Sequence, residues 1–151
     1  MPLLSSSENS ETEMTDKSMN DETNPWEHDP FAAAYPETTE FWSAAAQGKL
    51  MLKTCNDCGK AHWYPRAVCP LCGSTELNWA QASGRGKIYA FSPARRIKPT
   101  YTLAYVTLDE GPTVMTNIVN AAPESLQIDQ PVQVTFQAAD EGRMMPFFAP
   151  A

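Results

Sequence analysis

Four cysteines, Cys55, Cys58, Cys69 and Cys72, fall inside one 18-residue window, and no other cysteine occurs in the 151-residue chain. Their spacing is C-x2-C-x10-C-x2-C. Each pair sits in a tight turn that directs two thiolates at one point, and two such pairs complete a tetrahedron. Soft thiolates in four-coordinate geometry suit Zn²⁺ at about 2.3 Å, with no position left open for substrate. Gly59 and Gly73, directly after each pair, supply the backbone freedom such knuckle turns need. One structural zinc is therefore expected. A redox iron site of rubredoxin type is the rival, because Cys69-Pro70-Leu71-Cys72-Gly73 resembles half of that motif. Clustered thiols with no partner elsewhere for a disulfide point to a reducing compartment.

Other groups capable of chemistry are few. The chain has two histidines, His28 and His62. Four thiolates already saturate a zinc ion, so His62 reads as a packing or surface residue. Ser83 and Ser92 flank a strand without a G-x-S-x-G elbow, and no glycine-rich phosphate loop occurs. Asp109 and Glu110 lie in a turn sequence that favours polar residues. No catalytic set is expected, and the chain reads as a binding or scaffold protein rather than an enzyme.

One basic cluster stands out. Arg85, Lys87, Arg95, Arg96 and Lys98 lie within fourteen residues, interleaved with Tyr89, Phe91 and Tyr101. They are either a solvated face or an anion site in which cations grip phosphate and aromatics cover a base.

These groups need elements to position them. Residues 1–40 hold ten acidic residues against one lysine, while residues 41–151 hold ten basic and eight acidic ones, so the overall charge of -7 belongs to the N-terminal segment. Residues 1–24, rich in Ser, Glu, Asp, Asn and Thr, read as disordered. Residues 25–36 place Trp26, Phe31 and Tyr35 among three prolines, an arm that packs on its own domain or docks on a partner. Residues 1–36 are thus taken as an acidic arm with an aromatic docking segment. A leading helix over 37–48 runs from a Thr38 N-cap to a Gly48 stop, with Phe41 and Trp42 packing it down.

Lys49 to Lys53 reads as a strand with Leu50 and Leu52 on one face, opening a zinc ribbon over 49–82. After the break at Ser83-Gly84-Arg85-Gly86, strands are expected at Lys87–Ser92, Tyr101–Leu108, Thr113–Val119 and Val132–Phe136, with a turn at Asp109-Glu110-Gly111-Pro112. The fold class is mainly β: a helix, a ribbon, then over 83–151 a small antiparallel barrel of OB type. No stretch approaches the ~20 apolar residues of a membrane helix and no secretory leader is evident, so a soluble, cytoplasmic protein is expected.

Taken in order, several motifs resemble those of a known family. They are Phe41-Trp42, Gly48-Lys49-Leu50, Cys55-x-x-Cys58-Gly59, Tyr64-Pro65-Arg66, Cys69-Pro70-x-Cys72-Gly73 and Trp79. Further on come Gly84-x-Gly86-x-Ile88-Tyr89-Ala90-Phe91, Leu108-Asp109-Glu110-Gly111-Pro112, Pro131-Val132-x-Val134 and Pro146-Phe147. From about Pro36 to Pro146 the chain resembles the zinc-ribbon/OB-fold proteins of acyl-CoA metabolism grouped as domain of unknown function 35. It departs from the family at Asp129, where glycine is usual; Asp tolerates the left-handed conformation such a turn needs.

The resemblance implies a rubredoxin-like ribbon and an accessory subunit. Its catalytic partner would be thiolase-like, a lipid-transfer-protein-like thiolase or aldolase, or a MaoC-type hydratase, with acyl-CoA at the shared interface. On that reading the basic cluster lies near the CoA phosphates. The alternatives are a nucleic-acid-binding ribbon and barrel, which a domain of only +2 with an acidic arm argues against, and a ligand-free structural adaptor.

Overall fold

The computed structural model describes residues 29–140 and 142–151. Trp26, His28 and the segment read as disordered lie outside the described residues.

The helical start has two parts. Helix α1 (Pro30–Ala34) is capped by Asp29, whose carboxylate accepts from the Phe31 and Ala32 amides at 2.8 and 3.2 Å. After a 3₁₀ turn at Pro36–Thr38 comes α2 (Thr39–Ala46). Residues 29–36 are thus helical turns seated on the domain, with Asp29 and Ala32 buried. The expected cap role of Thr38 needs correction. Thr38 sits at the N-cap position, but its hydroxyl donates to the Tyr35 carbonyl (2.7 Å) and accepts the Trp42 indole N–H (3.1 Å). The 3₁₀ turn already pairs the Thr39 amide, so no side-chain cap is required. At the other end, the Gly48 and Lys49 amides reach back to the Ala45 and Ala44 carbonyls, the paired bonds of a Schellman stop. Phe41, Trp42 and Ala45 form the buried face, packed against β1 and β8.

The ribbon is a three-stranded antiparallel sheet in the order β2-β1-β3, from β1 (Met51–Cys55), β2 (Ala61–His62) and β3 (Leu77–Gln81). β1 begins two residues later than expected, yet Leu50 and Leu52 are both buried. β3 was not foreseen; it forms because all five of its residues pair with β1.

The barrel contains β4 (Arg85–Ala94), β5 (Tyr101–Leu108), β6 (Thr113–Ile118), β7 (Pro131–Ala138) and β8 (Met144–Pro150), closed in the order β4-β5-β6-β8-β7. All pairs are antiparallel except β6 with β8, which meet in parallel at Ile118 and Phe148. That order, with its parallel third and fifth strands, is OB-type topology. β8 was missing from the sequence reading because Pro146 and Pro150 disguise it. It holds by pairing along β7, while on its other side the Pro146 carbonyl accepts from the Thr116 hydroxyl (3.0 Å). Inward residues of β4 to β8, among them Ile88, Ala104, Val106, Val132 and Phe148, join Phe41, Trp42, Leu50 and Leu52 in one core. Asp129 has φ of 63°, the left-handed conformation expected of it.

Candidate metal centre and anion face

The two cysteine pairs occupy matching turns. The Cys55 amide donates to the Lys60 carbonyl (3.0 Å) and the Gly59 amide to the Cys55 carbonyl (2.8 Å). In the second turn the Cys69 amide donates to Ser74 (2.8 Å) and the Gly73 amide to Cys69 (2.9 Å). Gly59 and Gly73 have φ of 69° and 80°, so a side chain at either would be strained. The β1–β3 ladder carries the first knuckle, and the Asn56 amide donates to the Glu76 carbonyl (2.9 Å) to hold it beside the strand that follows the second.

The four sulfurs lie within 4.8 Å of one another. Cys55 and Cys72 are 3.6 Å apart at sulfur, and Cys58 and Cys69 are 3.8 Å apart. A tetrahedron with metal–sulfur bonds of about 2.3 Å has edges of about 3.8 Å, so the cage fits one Zn²⁺. Cys55 and Cys69 are buried and Cys72 is exposed. The Cys58 amide aimed at the Cys55 sulfur is the main force bringing that thiol down to about 7, against the cost of burial. At Cys72 the Ser74 amide also lowers the pKa, but the Cys55 thiolate and burial outweigh it and push Cys72 up to about 12. Four thiolates this close repel one another, and a divalent cation is the charge that lets all of them ionise. With four sulfur ligands the metal has no open position, so it staples the ribbon rather than activating water.

His62, opposite Lys53 in the β1–β2 ladder, is buried, with no partner for either ring nitrogen among the described residues. Burial, with Lys53 and Arg66 adding like charge, lowers its pKa and keeps the ring neutral.

The basic cluster does not converge. Arg85 and Arg95 stand at opposite ends of β4, a strand of ten residues and therefore roughly 30 Å of contour. Arg85 pairs with Asp109 (3.2 Å), and Lys87 shares a recess with Asp109 and Asp129, so carboxylates stand beside the cations at that end. Arg95, Arg96 and Lys98 are exposed on the β4–β5 loop, with Arg95 facing Glu124 at 3.7 Å. Beside this loop is a groove of about 660 Å³ lined by Arg95, Thr100, Tyr101, Asn117, Asn120 and Gln137 among others.

Sequence reasoning missed the work of the turn carboxylates. Glu110 accepts the Ser83 amide at 2.6 Å, and the Asp109 amide donates to the Arg85 carbonyl at 3.0 Å. Burial raises the Glu110 pKa, but the Ser83 amide and hydroxyl, its own amide and the Arg85 charge together overcome it and hold the pKa below the usual value. Together the pair clamps the joint between ribbon and barrel. The x-Gly-x-Gly joint followed by a downstream Asp-Glu turn was the available signal, though only strand pairing brings them together.

Comparison with known proteins places both modules. The family model for the ChsH2 rubredoxin-like zinc ribbon domain matches residues 42–78, and that for the ChsH2 C-terminal OB-fold domain matches residues 79–137. A DUF35 domain-containing scaffold protein of Methanothermobacter thermautotrophicus is 31% identical over 113 residues, covering 70% of this chain and 85% of that protein. The chain belongs to the DUF35 family. A solved structure described as an Ltp2-ChsH2(DUF35) aldolase superposes with a TM-score of 0.65 at 30% identity, over 75% of this chain and 93% of that one. Two further relatives carry other names. A probable enoyl-CoA hydratase alpha subunit of Thermomonospora curvata is 33% identical over 117 residues, 74% of this chain, which spans only 37% of that protein's length. The benzoylsuccinyl-CoA thiolase subunit BbsA of Thauera aromatica is 28% identical over 93 residues, 59% of this chain and 64% of that one. Among the described residues no helix is long and apolar enough to cross a membrane.

Proposed function

We propose that this DUF35 chain is a non-catalytic accessory subunit that binds a thiolase-like or MaoC-type hydratase catalytic subunit acting on acyl-CoA. The observation that carries this reading is the metal cage: its four sulfurs leave no coordination position for substrate, so the most reactive cluster in the molecule serves architecture. The names of the relatives support it, since a scaffold protein, a CoA thiolase subunit and an aldolase complex share this ribbon and barrel. The hydratase alpha subunit named in Thermomonospora is a longer protein, of which the matched stretch is 37%.

Within this reading the CoA phosphates contact Arg95, Arg96 and Lys98 rather than all five basic residues, because Arg85 is held by Asp109. The Tyr101 ring, at the edge of the adjoining groove, supplies a face for the adenine. The purified chain alone should leave acyl-CoA thioesters unchanged, and mixing it with a thiolase- or hydratase-type subunit should give a stable complex that turns over. Turnover by the chain alone overturns the accessory role. If Arg95→Ala with Arg96→Ala leaves the affinity of the complex for CoA unchanged, the phosphate assignment is wrong.

A further inference from the structure

The groove beside the Arg95 loop continues past Tyr101. Asn117 and Phe147 wall it, and the same two residues wall a second groove of about 310 Å³, so the two form one trough across the barrel. Its compartments differ in kind. The first presents the polar side chains of Arg95, Thr100, Asn120 and Gln137. The second is walled by Phe31, Trp42, Trp63, Leu103, Met115 and Met145 among others. Strand register sets the distance between them. Tyr101 pairs with Ala94 at the loop end, Leu103 follows two residues on beside Asn117, and Met115 sits opposite Tyr105. Four residues of strand therefore separate the ends, roughly 13 Å.

Charge sharpens the contrast. At the loop end, Glu124 faces Arg95, and neither Arg96 nor Lys98 is in an ion pair among the described residues. At the far end the cation in the wall, Arg143, is held by Asp29 and lies over the Phe31 and Trp42 rings, so the groove offers no free charge. Leu103 and Met115 are exposed along its mouth, and an apolar surface left open marks a place that something covers. An occupant of the whole trough is thus an amphiphile, anionic at one end and apolar and uncharged at the other. An acyl-CoA has this form, because an arm about as long as four extended residues, roughly 13 Å, separates its phosphates from its acyl group. A lipid phosphate carries its acyl chain beside the phosphate, with no such arm to cross the span.

We propose that the aromatic groove is a subsite for the acyl group of an acyl-CoA lying along this trough, so that this chain, and not its catalytic partner alone, grades the acyl group. The inference rests on the accessory-subunit reading for its ligand and adds the class of acyl group. At roughly 30 Å³ for each methylene-sized group, the groove holds about ten of them. It takes a neutral medium-chain or single-ring acyl group. A carboxylate at the end of the chain is rejected, because burying it there leaves it unpaired.

Calorimetric titration of the full zinc-loaded chain, with no catalytic subunit present, tests it. Octanoyl-CoA should bind at least about tenfold tighter than CoA, which the burial of a few methylenes supplies. Suberyl-CoA, with its terminal carboxylate, should lose that gain. Met115→Glu and Leu103→Glu, both at exposed positions, should each abolish the gain, and Met115→Leu should keep it. Equal affinities for CoA and octanoyl-CoA overturn the proposal, as does a gain that survives both glutamate variants, or no binding of any CoA species. Octanoyl lysophosphatidate bound as tightly as octanoyl-CoA overturns it in favour of a lipid phosphate. The accessory role is tested separately, by complex formation and by the absence of turnover in the isolated chain, so these failures leave it standing.

Discussion

Arg143, in the hairpin that leads into β8, forms an ion pair with the carboxylate of Asp29, the residue that caps α1. The Arg143 guanidinium also lies 4.9 Å from the Phe31 ring and 5.1 Å from the Trp42 ring. One side chain thus ties the N-terminal helices to the last hairpin of the barrel. Its removal strands a carboxylate that is 1% exposed. Arg143→Ala should destabilise the protein by about 3–5 kcal/mol in denaturant unfolding, the usual result of leaving one buried charge unpaired. A loss below about 1 kcal/mol would mean that water reaches Asp29.

Burial raises the Asp29 pKa, but the Phe31 and Ala32 amides and Arg143 overcome it, and the net shift is below the ordinary 3.8. A carboxyl depressed on folding contributes stability at pH values above its unfolded pKa and loses it as pH falls through the folded one. Asn preserves the cap acceptor without the charge. The stability gap between parent and Asp29→Asn should therefore be constant above about pH 5 and close steadily below pH 3.8. A gap independent of pH would place the effect in packing.

The metal prediction is compositional. The purified protein should be colourless and contain one zinc per chain, and Cys69→Ser should lose it together with the order of β1 to β3. Iron in place of zinc would restore the rubredoxin-type reading. Because metal binding here is coupled to folding, chelation should unfold the ribbon first.

His62 offers a second pH test. Its folded pKa lies below 6.5, so between pH 7 and the folded pKa the unfolded chain takes up a proton that the native chain refuses. Stability should fall as pH drops through 6.5 and level off lower down, measured with excess zinc. His62→Leu should remove this slope and cost little stability, since neither ring nitrogen has a partner among the described residues. A variant that keeps the slope would shift the cause to another group.

Gly86 is held by close packing rather than by φ. A Cβ there would lie 2.6 Å from the Thr107 carbonyl oxygen and 2.8 Å from the Val106 side chain. Gly86→Ala must spread β4 from β5 and should cost about 1–3 kcal/mol. An unchanged melting temperature would show that the strands separate easily at this joint.

Much of the architecture was legible because it is encoded over a few residues. Alternation in Tyr101–Leu108 gave the span and the inward face of β5, and the cysteine spacing gave the cage, since each depends on one local period or turn. β8 was hidden because Pro146 and Pro150 break the pattern a strand normally shows, and its pairing with β7 settles the matter. The layout of the basic cluster was only partly legible: five cations fall within fourteen residues, and the ten-residue strand between Arg85 and Arg95 sets them at its two ends.

By itself, then, the sequence determined the zinc ligands, the left-handed turn at Asp129 and the order of helix, ribbon and barrel, all properties of neighbouring residues. Only the tertiary structure decided that Arg143 meets Asp29, that Glu110 grips the Ser83 amide, and that Arg85 faces Asp109 while Arg95 faces Glu124 from the exposed loop that also carries Arg96 and Lys98. These are contacts between distant segments. They exist because barrel closure sets one strand register, and register follows from burying every inward face at once rather than from any single stretch of chain.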